Sequence, residues 1–590
     1  MTTDDLSKID PSIKKTIQTW LEGNYDSETK TEIRRLLNEN PQELTDSFYT
    51  RLGFGTGGLR GVVGVGTNRM NRYTIQFATQ GLASYLKKEV PNPSKPLSVC
   101  IGYDCRLTSR EFAEEAARVL IGNEIKVFMF DDLRPTPLTS FACRDLSCDA
   151  AIMITASHNP PEYNGYKVYW NDGGQVLPPH DSGIIQEVNA IEQLDQVKVA
   201  ELDSPLLEYL DAKMDQKYLK LITESQHYPT LNQSKGGSLS IVYSNLHGTS
   251  IKLMPEALKL WGFNHVSYVE EQKEPDGHFP TVKYANPEDP EAMQLAVDQM
   301  LTNQADIAIA CDPDADRVGV AVRHNDQAIL LSGNETSCIC LYHICEALSR
   351  QDILPDNAAF VKTIVTTELF PAIARTYGGA CIDVLPGFKY IAEQIRQWEL
   401  AKNGHSFLFG GEESFGYLLG TNTRDKDGII SACLISEVAL WAKQMGKTLV
   451  DILHQIYDEH GIYKEGLLSV NYPETQEGRK HMQEAMKSLR AQPPKQFLGV
   501  PVVVIEDFES GTRKDLRTGA VEQLTLPKSN ILRYWLGDDS KLVIRPSGTE
   551  PKIKIYSGVC LTEFDNLEGG ISTCTARVQG LLQEMSSLVS

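Results

Sequence analysis

Four short segments of the chain gather residues that could do chemistry together. The first is Ala150-Ala-Ile-Met-Ile-Thr155-Ala-Ser157-His158-Asn159-Pro160, an apolar run that ends at a serine and is followed by Pro160 and Pro161. This predicts a strand that presents a hydroxyl at its carboxyl end, where α/β proteins place ligands. A plain turn has the same composition, since Ser, Asn and Pro are common turn formers. The segment is not a Gly-x-Ser-x-Gly elbow. His158 follows Ser157 directly, an awkward place for a general base.

The second segment is Asp306-Ile-Ala-Ile-Ala-Cys311-Asp312-Pro-Asp314-Ala-Asp316-Arg317, with apolar residues again from Val318 to Val322. Carboxylates this close repel, and each would hold its proton more tightly unless a cation neutralised it. A hard divalent ion taking one oxygen from each is the natural partner, and Mg2+ suits a three-carboxylate set that leaves positions for water or phosphate. A calcium EF-hand loop does not fit: Arg317 stands where its glycine belongs, and Arg323 holds the twelfth position. A solvated acidic turn is the plainer alternative, and the apolar runs on both sides speak against it.

The third is Phe407-Leu-Phe-Gly-Gly-Glu412-Glu413-Ser414-Phe415-Gly416-Tyr417. Adjacent carboxylates and a hydroxyl in a glycine-rich loop can share hydrogen bonds with sugar hydroxyls, and they could equally begin a helix. Charge continues downstream in Arg424-Asp-Lys426-Asp427-Gly428. The fourth is Lys541-Leu-Val-Ile-Arg545-Pro546-Ser547-Gly548-Thr549-Glu550-Pro551-Lys552. A guanidinium beside hydroxyls and backbone N–H groups can cradle a phosphate, although a hairpin turn would also connect the two strands. One mechanism uses all four segments. A strand-end serine next to a Mg2+ site suggests phosphoryl transfer through a phosphoserine, and a separate metal-free cradle implies a second phosphate on the substrate. The sum is a sugar-phosphate mutase.

The elements that must position these loops are legible in outline. Residues 1–48 read as a helical cap, with Leu6, Ile9, Ile13, Ile17 and Leu21 at helical spacing and a second helix from Glu28 to Leu37. Gly53-Phe-Gly-Thr-Gly-Gly-Leu-Arg60-Gly61 contains a GxGxxG, yet no apolar strand precedes it and no helix follows. We therefore read it as a flexible loop that brings Arg60 to a ligand. A strand–loop–helix–strand unit then recurs, beginning at Leu97, at Leu239 and, more weakly, at Ala359. Such units imply parallel sheets with right-handed crossovers. Linkers are expected near Leu202–Pro205, His324–Gln327 and Gly461–Gly466. The remainder has short strands (Val500–Ile505, Ile531–Leu536, Lys541–Arg545, Lys552–Ser557) with helices at both ends, an α+β pattern.

Composition narrows the classes. The chain has 590 residues, and about 150 residues per domain gives about four domains. Basic residues number 57 and acidic residues 78, for a net charge of −21, which argues against nucleic acid and against anionic membranes as partners. The most apolar stretch, Ile429 to Ala442, is interrupted by Ser431, Ser436 and Glu437 and reads as a buried helix. The N-terminus lacks an apolar targeting segment, and the twelve cysteines lack CxxC spacing. A cytoplasmic protein with reduced thiols is expected.

From about residue 50 onward the sequence resembles the α-D-phosphohexomutases, the group that contains phosphoglucomutase and phosphomannomutase. Thr155–Pro160 looks like the family's phosphoserine loop, Asp312–Arg317 its metal loop, Gly411–Gly416 its sugar-recognition loop and Arg545–Thr549 its phosphate loop, in the family's order. The resemblance implies a four-domain α/β architecture: three related α/β domains with mixed sheets and a C-terminal α+β domain around a central cleft. The domains would be 49–205, 206–325, 326–462 and 463–590, after the cap of 1–48. It implies that Ser157 carries the phosphoryl group and joins Asp312, Asp314 and Asp316 as a ligand of Mg2+. Arg60, His158 and Lys167 would act at the reacting phosphate. Arg317, Lys389, Glu412, Ser414, Arg545, Ser547, Gly548 and Thr549 would bind substrate. Glucose 1,6-bisphosphate would serve as intermediate and activator, small-molecule sugar phosphates would be the partners, and the chain would work as a monomer or homodimer. Glu-Glu-Ser-Phe-Gly is closer to phosphoglucomutase, because Gly416 stands where phosphomannomutase-type bacterial enzymes often have histidine. The cap and the Phe54–Arg60 entry resemble the branch with phosphopentomutase and glucose-1,6-bisphosphate synthase. The preferred sugar (glucose, mannose or pentose phosphate) stays open, as does a sugar-phosphate binding protein without turnover.

Overall fold

The computed structural model describes residues 10–53, 55, 57–91, 95–473, 475–547 and 551–590. It forms two compact units: Met1–Leu331 with Ile395–Gln397 and Gly416–Leu440, and Ser332–Gln394 with Trp398–Phe415 and Trp441–Ser590. No helix among the described residues is long and apolar enough to cross a membrane.

The first unit opens with three helices, Pro11–Glu22, Ser27–Glu39 and Pro41–Phe48. Leu6 and Ile9 lie outside the described residues, and the third helix is one more than the apolar spacing predicts. Its start is nevertheless written in the sequence: Pro41 occupies the first turn and the Asn40 side chain accepts the Glu43 N–H. Ile17, Trp20, Ile33, Leu36, Leu44 and Phe48 form a small core against Tyr73.

Six strands follow in one sheet: β1 (Gly58–Val62), β2 (Ser98–Tyr103), β3 (Lys126–Phe130), β4 (Ala150–Ile154), β5 (Tyr163–Trp170) and β6 (Leu207–Leu210). Their order is β1-β5-β4-β2-β3-β6. β4, β2, β3 and β6 run parallel, while β5 is antiparallel to β4 and to β1. The sheet is therefore mixed, because the short Ser157 loop returns the chain directly along β4. All five residues of β4 are buried, which explains its unbroken apolar run.

The second sheet contains β7 (Ile241–Ser244), β8 (Val266–Tyr268), β9 (Ile307–Cys311), β10 (Val318–His324) and β11 (Gln327–Leu331), ordered β11-β10-β9-β7-β8. β7, β8 and β9 are parallel, and β9–β10–β11 is an antiparallel meander. His324–Gln327 is accordingly not a linker. Asn325 and Asp326 both have positive φ, 50° and 58°, the conformation of a two-residue hairpin turn that Asn and Asp tolerate.

In the second unit β12 (Ala358–Thr363), β13 (Ala380–Val384) and β14 (Ser406–Glu412) are parallel, with β12 between the other two. The C-terminal region is an antiparallel sheet ordered Ile462–Asn471, Lys552–Leu561, Lys541–Pro546, Leu532–Leu536, Val500–Asp507, Thr512–Asp515 and Val521–Gln523. Helices Gln476–Ala491 and Leu567–Val589 accompany it. Gly461–Gly466, expected as a linker, is the start of the strand Ile462–Asn471, a full edge strand paired along its length with Lys552–Leu561.

Candidate active site

Ser157 sits at the end of β4 in a left-handed backbone conformation, φ 53°, and is 3% exposed. A serine in that region is uncommon, and surrounding bonds hold it there. Its N–H donates to Thr155 Oγ1 at 2.8 Å. Arg106, which follows β2, donates to four carbonyls of the same loop: Ser157 O (2.7 Å), Asn159 O, Pro160 O (2.7 Å) and Tyr163 O (2.8 Å). Its Nε faces Asp104 Oδ2 at 3.3 Å. All four terminal guanidinium N–H groups are thus turned to one task.

The Ser157 hydroxyl donates to Asp312 Oδ2 at 2.9 Å and lies 3.1 Å from His158 Nδ1. Asp312, Asp314 and Asp316 are buried in the turn between β9 and β10. Ala315 at φ 55° folds that turn tightly, and Asp312 Oδ1 accepts the N–H groups of Asp316 (3.1 Å) and Arg317 (3.0 Å). One oxygen from each of the three aspartates lies within 4.8 Å of the others. Asp314 Oδ1 and Asp316 Oδ1 are buried and accept no hydrogen bond. Buried carboxylate oxygens without donors are costly, and a hard divalent cation removes that cost. The donor set therefore fits Mg2+.

Cations surround the carboxylates. Lys167 on β5 reaches Asp314 Oδ2 (2.8 Å) and Asp316 Oδ2 (3.2 Å), and Lys426 reaches Asp316 Oδ2 at 3.0 Å. Thr136 Oγ1 donates to Asp314 Oδ2 at 2.8 Å. Burial pushes the Asp312 carboxyl well above the usual carboxylate range, and its neighbours Asp314 and Asp316 add to this. Burial acts the same way on Asp316, but Lys426, Lys167 and Arg317 outweigh it and hold that carboxyl low. For Lys167 burial opposes the charge, while Asp314 and Asp316 prevail and keep the ammonium above its ordinary range.

Arg60 lies on β1 and not in a loop, which corrects the flexible-loop reading. Gly58, at φ 145°, shows why the segment needs glycine: a Cβ there would stand 1.8 Å from Tyr166 O. The exposed Arg60 side chain donates to Asn159 Oδ1 at 3.0 Å, so it joins the Ser157 loop. Arg317 pairs with Glu288 and lies 3.9 Å from Asp316. The first unit thus brings together Ser157, His158, Lys167, Arg60, Arg317 and the three aspartates. Arg106 and Thr136 are additions that no motif announced. Lys426 stood only in a charged stretch.

In the second unit, Glu412 ends β14 and its Oε1 accepts the Gly387 N–H at 2.9 Å, next to Phe388 and Lys389. Gly387 has φ 126°, and Lys389 Nζ lies 5.3 Å from the centre of the Tyr390 ring. Glu413 Oε2 accepts from Thr363 Oγ1 (3.4 Å) and Thr366 Oγ1 (3.3 Å). Ser414 is partly buried beyond them. Arg545 stands one residue before the end of the strand Lys541–Pro546, and Ser547 N donates to Lys552 O at 2.8 Å, closing the base of the loop. Gly548 and Thr549 lie outside the described residues. A pocket of about 440 Å³ opens beside Arg545 and Ser547.

Comparison with known proteins agrees with this geometry. The phosphoglucomutase/phosphomannomutase alpha/beta/alpha domain models I, II and III match residues 51–195, 216–325 and 332–460. The chain is 37% identical over 529 residues to a phosphoglucomutase of Staphylococcus aureus (strain MRSA252), covering 89% of this chain and 92% of that one. It is 36% identical over 552 residues to the phosphoglucomutase of S. aureus (strain COL), covering 93% and 96%. In fold it is similar to the open form of the Paramecium phosphoprotein pp63/parafusin, a phosphoglucomutase (TM-score 0.69, 18% identity, 91% and 96% covered). It is also similar to a phosphoglucomutase/phosphomannomutase family protein from Burkholderia thailandensis (TM-score 0.65, 18% identity, 91% and 97% covered). A strand-end serine bonded to a buried aspartate triad, on three matched α/β domains followed by an antiparallel C-terminal sheet, places the chain in the phosphoglucomutase/phosphomannomutase family.

Proposed function

We propose that this chain interconverts glucose 1-phosphate and glucose 6-phosphate through a phosphorylated Ser157 and a glucose 1,6-bisphosphate intermediate. The observation that carries the reading is the 2.9 Å bond from Ser157 Oγ to Asp312 Oδ2, at the centre of the aspartate triad. Mg2+ held by Asp312, Asp314 and Asp316 would supply electrophilic stabilisation of the phosphoryl group.

The chain's own residues do the rest. The Arg106 clamp fixes the Ser157 backbone, so the phosphoryl donor is held before substrate arrives. The sugar hydroxyl attacks the phosphoryl group and Ser157 Oγ departs. In the second half the other phosphoryl group returns to Ser157. Lys167, buried against Asp314 and Asp316, is placed to take and return the hydroxyl proton once those carboxylates have another partner. Arg60 steadies Asn159 and offers a guanidinium to the transferring oxygens. Glu412 and Ser414 bind sugar hydroxyls, Lys389 and Arg317 contact the substrate, and Arg545 with Ser547, Gly548 and Thr549 holds the phosphate that is not reacting. The cytosol is its expected place, and sugar phosphates are its partners.

The test is kcat/KM for the 1-phosphates of glucose, mannose, ribose and deoxyribose, each with and without glucose 1,6-bisphosphate. Glucose 1-phosphate is expected to lead, with turnover that depends on the bisphosphate. Preference for another sugar, or turnover indifferent to bisphosphate and Mg2+, would contradict the reading.

A further inference from the structure

The Arg106 clamp has a neighbour outside its own sheet. The four terminal N–H groups of its guanidinium go to carbonyls of the Ser157 loop and its charge faces Asp104, so the rim of the plane is occupied and only the faces are open. Phe279 covers one face, with the guanidinium carbon 5.1 Å from the centre of its ring. An arginine over an aromatic face is held by the ring's quadrupole as well as by contact. Phe279 is 2% exposed and has φ 49°, a conformation that a bulky residue rarely adopts. Backbone strain of that kind persists only where the surroundings hold it. They do so here: a Cβ on Gly277, two residues earlier, would stand 2.7 Å from Leu107 N and 2.8 Å from Cys105 O, so the turn is pressed against the backbone on both sides of Arg106.

The same turn is tied to the metal loop. Asp276 N donates to His247 O at 3.0 Å, and His247 Nε2 lies 2.9 Å from Thr281 Oγ1. Thr281 Oγ1 also accepts from the buried Gln272 side chain at 3.0 Å. His247 stands in the loop after β7, and two residues on Thr249 donates both its N–H (2.8 Å) and its hydroxyl (2.9 Å) to Pro313 O. Pro313 separates Asp312 from Asp314. A continuous run of contacts thus joins Arg106 to the aspartate turn, through residues 276–281 and the loop after β7. None of it uses a reacting atom. The bond from the Ser157 hydroxyl to Asp312 is different, because a phosphorylated serine has no hydroxyl proton to donate. Both half-reactions need the serine oxygen at the same place beside the triad, whichever end of the sugar faces it.

We propose that Phe279 is a positioning residue for phosphoryl transfer: stacked on Arg106, it keeps the Ser157 loop in register with the aspartate triad in both the free and the phosphorylated enzyme. It acts through Arg106 and not on the substrate. The inference rests on the reading of Ser157 as the phosphoryl carrier.

The experiment compares the full-length wild type with Phe279→Leu and Phe279→Met, each alone and with Arg106→Lys. Both replacements keep apolar volume and remove the ring, so at least one is expected to fold, as Tm reports. The first readout needs no turnover. Hydrogen exchange followed by mass spectrometry should show the amides between Ser157 and Tyr163 exchanging about tenfold faster in the Phe279 variants, with those of β9 unchanged. The second readout is single-turnover phosphorylation of Ser157 by glucose 1,6-bisphosphate. It should slow by about tenfold in the single variants, with KM for glucose 1-phosphate within about twofold, and by no more than about twofold further when Arg106 is already lysine. Exchange between Ser157 and Tyr163 as slow as in the wild type, exchange that rises equally in β9, or rate losses that multiply in the double variants would each overturn the positioning role. A wild type that takes no phosphate on Ser157 would overturn the proposed function instead, and the exchange comparison would still decide whether Phe279 holds the loop.

Discussion

Ser157 Oγ stands 2.9 Å from Asp312 Oδ2, although 155 residues separate the two in the chain. The end of β4 and the turn after β9 are thereby joined at one point, with Lys167 of the same sheet and Thr136 at the start of the helix Thr136–Asp145 both bonding to Asp314. This relationship makes the phosphoserine loop and the aspartate triad one site.

The triad is expected to bind Mg2+. Asp316→Asn and Asp314→Asn should each weaken Mg2+ binding by about 10–100-fold or more, measured by titration calorimetry on the unphosphorylated protein. Chelation should abolish turnover and Mg2+ should restore it. A triad variant that binds Mg2+ as tightly as the wild type would remove these residues from the metal site.

Arg106 should be irreplaceable by lysine. Its four terminal N–H groups serve four carbonyls while its charge faces Asp104, and an ammonium has three donors. Arg106→Lys is expected to lower kcat by about 10²-fold with little change in KM, since loop misplacement of an ångström costs that much. Single-turnover phosphorylation of Ser157 by glucose 1,6-bisphosphate should slow by the same factor. Normal kcat with raised KM would show that the residue acts on substrate binding instead.

Asp427 gives a pH signature in stability. Its carboxylate is 1% exposed, caps the helix Gly428–Gln444 through the Ile429 and Ile430 N–H groups, and takes the Tyr218 hydroxyl at 2.7 Å. Burial pushes its pKa up from 3.8 to about 6. The folded state therefore holds this proton more tightly than the unfolded chain. The associated stability is full below about pH 4, is lost as pH rises to about 6, and totals at most about 3 kcal/mol. Asp427→Asn should gain on the wild type in Tm between pH 5 and pH 7. A difference in Tm that is constant over that range would rule out a raised pKa.

How much of the site the sequence displays depends on where each residue's work is done. Ser157, Asp312, Asp314 and Asp316 are legible because strand ends and alternating carboxylates write their chemistry into contiguous residues, whereas Lys167 enters only through the family resemblance. Arg106 is not legible, since it binds backbone carbonyls of a loop 51 to 57 residues away, and carbonyls carry no side-chain signature. Lys426 lies in a visibly charged stretch, but only folding brings it to Asp316. The glycines before Arg60 read as freedom, yet Gly58 is there because the Tyr166 carbonyl leaves no room for a side chain, and the segment is a strand. Asn325-Asp326 has linker composition and hairpin-turn chemistry alike; pairing of β10 with β11 decides between them. Three of the four sheets follow from strand–helix–strand spacing, while the antiparallel return of β5 depends on the shortness of the Ser157 loop.

The central claim is that turnover passes through Ser157. The most direct measurement is the rate of glucose 1-phosphate conversion to glucose 6-phosphate by Ser157→Ala with Mg2+ and saturating glucose 1,6-bisphosphate. A fall of about 10³-fold or more, with Tm and Mg2+ binding retained, is the predicted result. Near-full turnover in that variant would contradict the account.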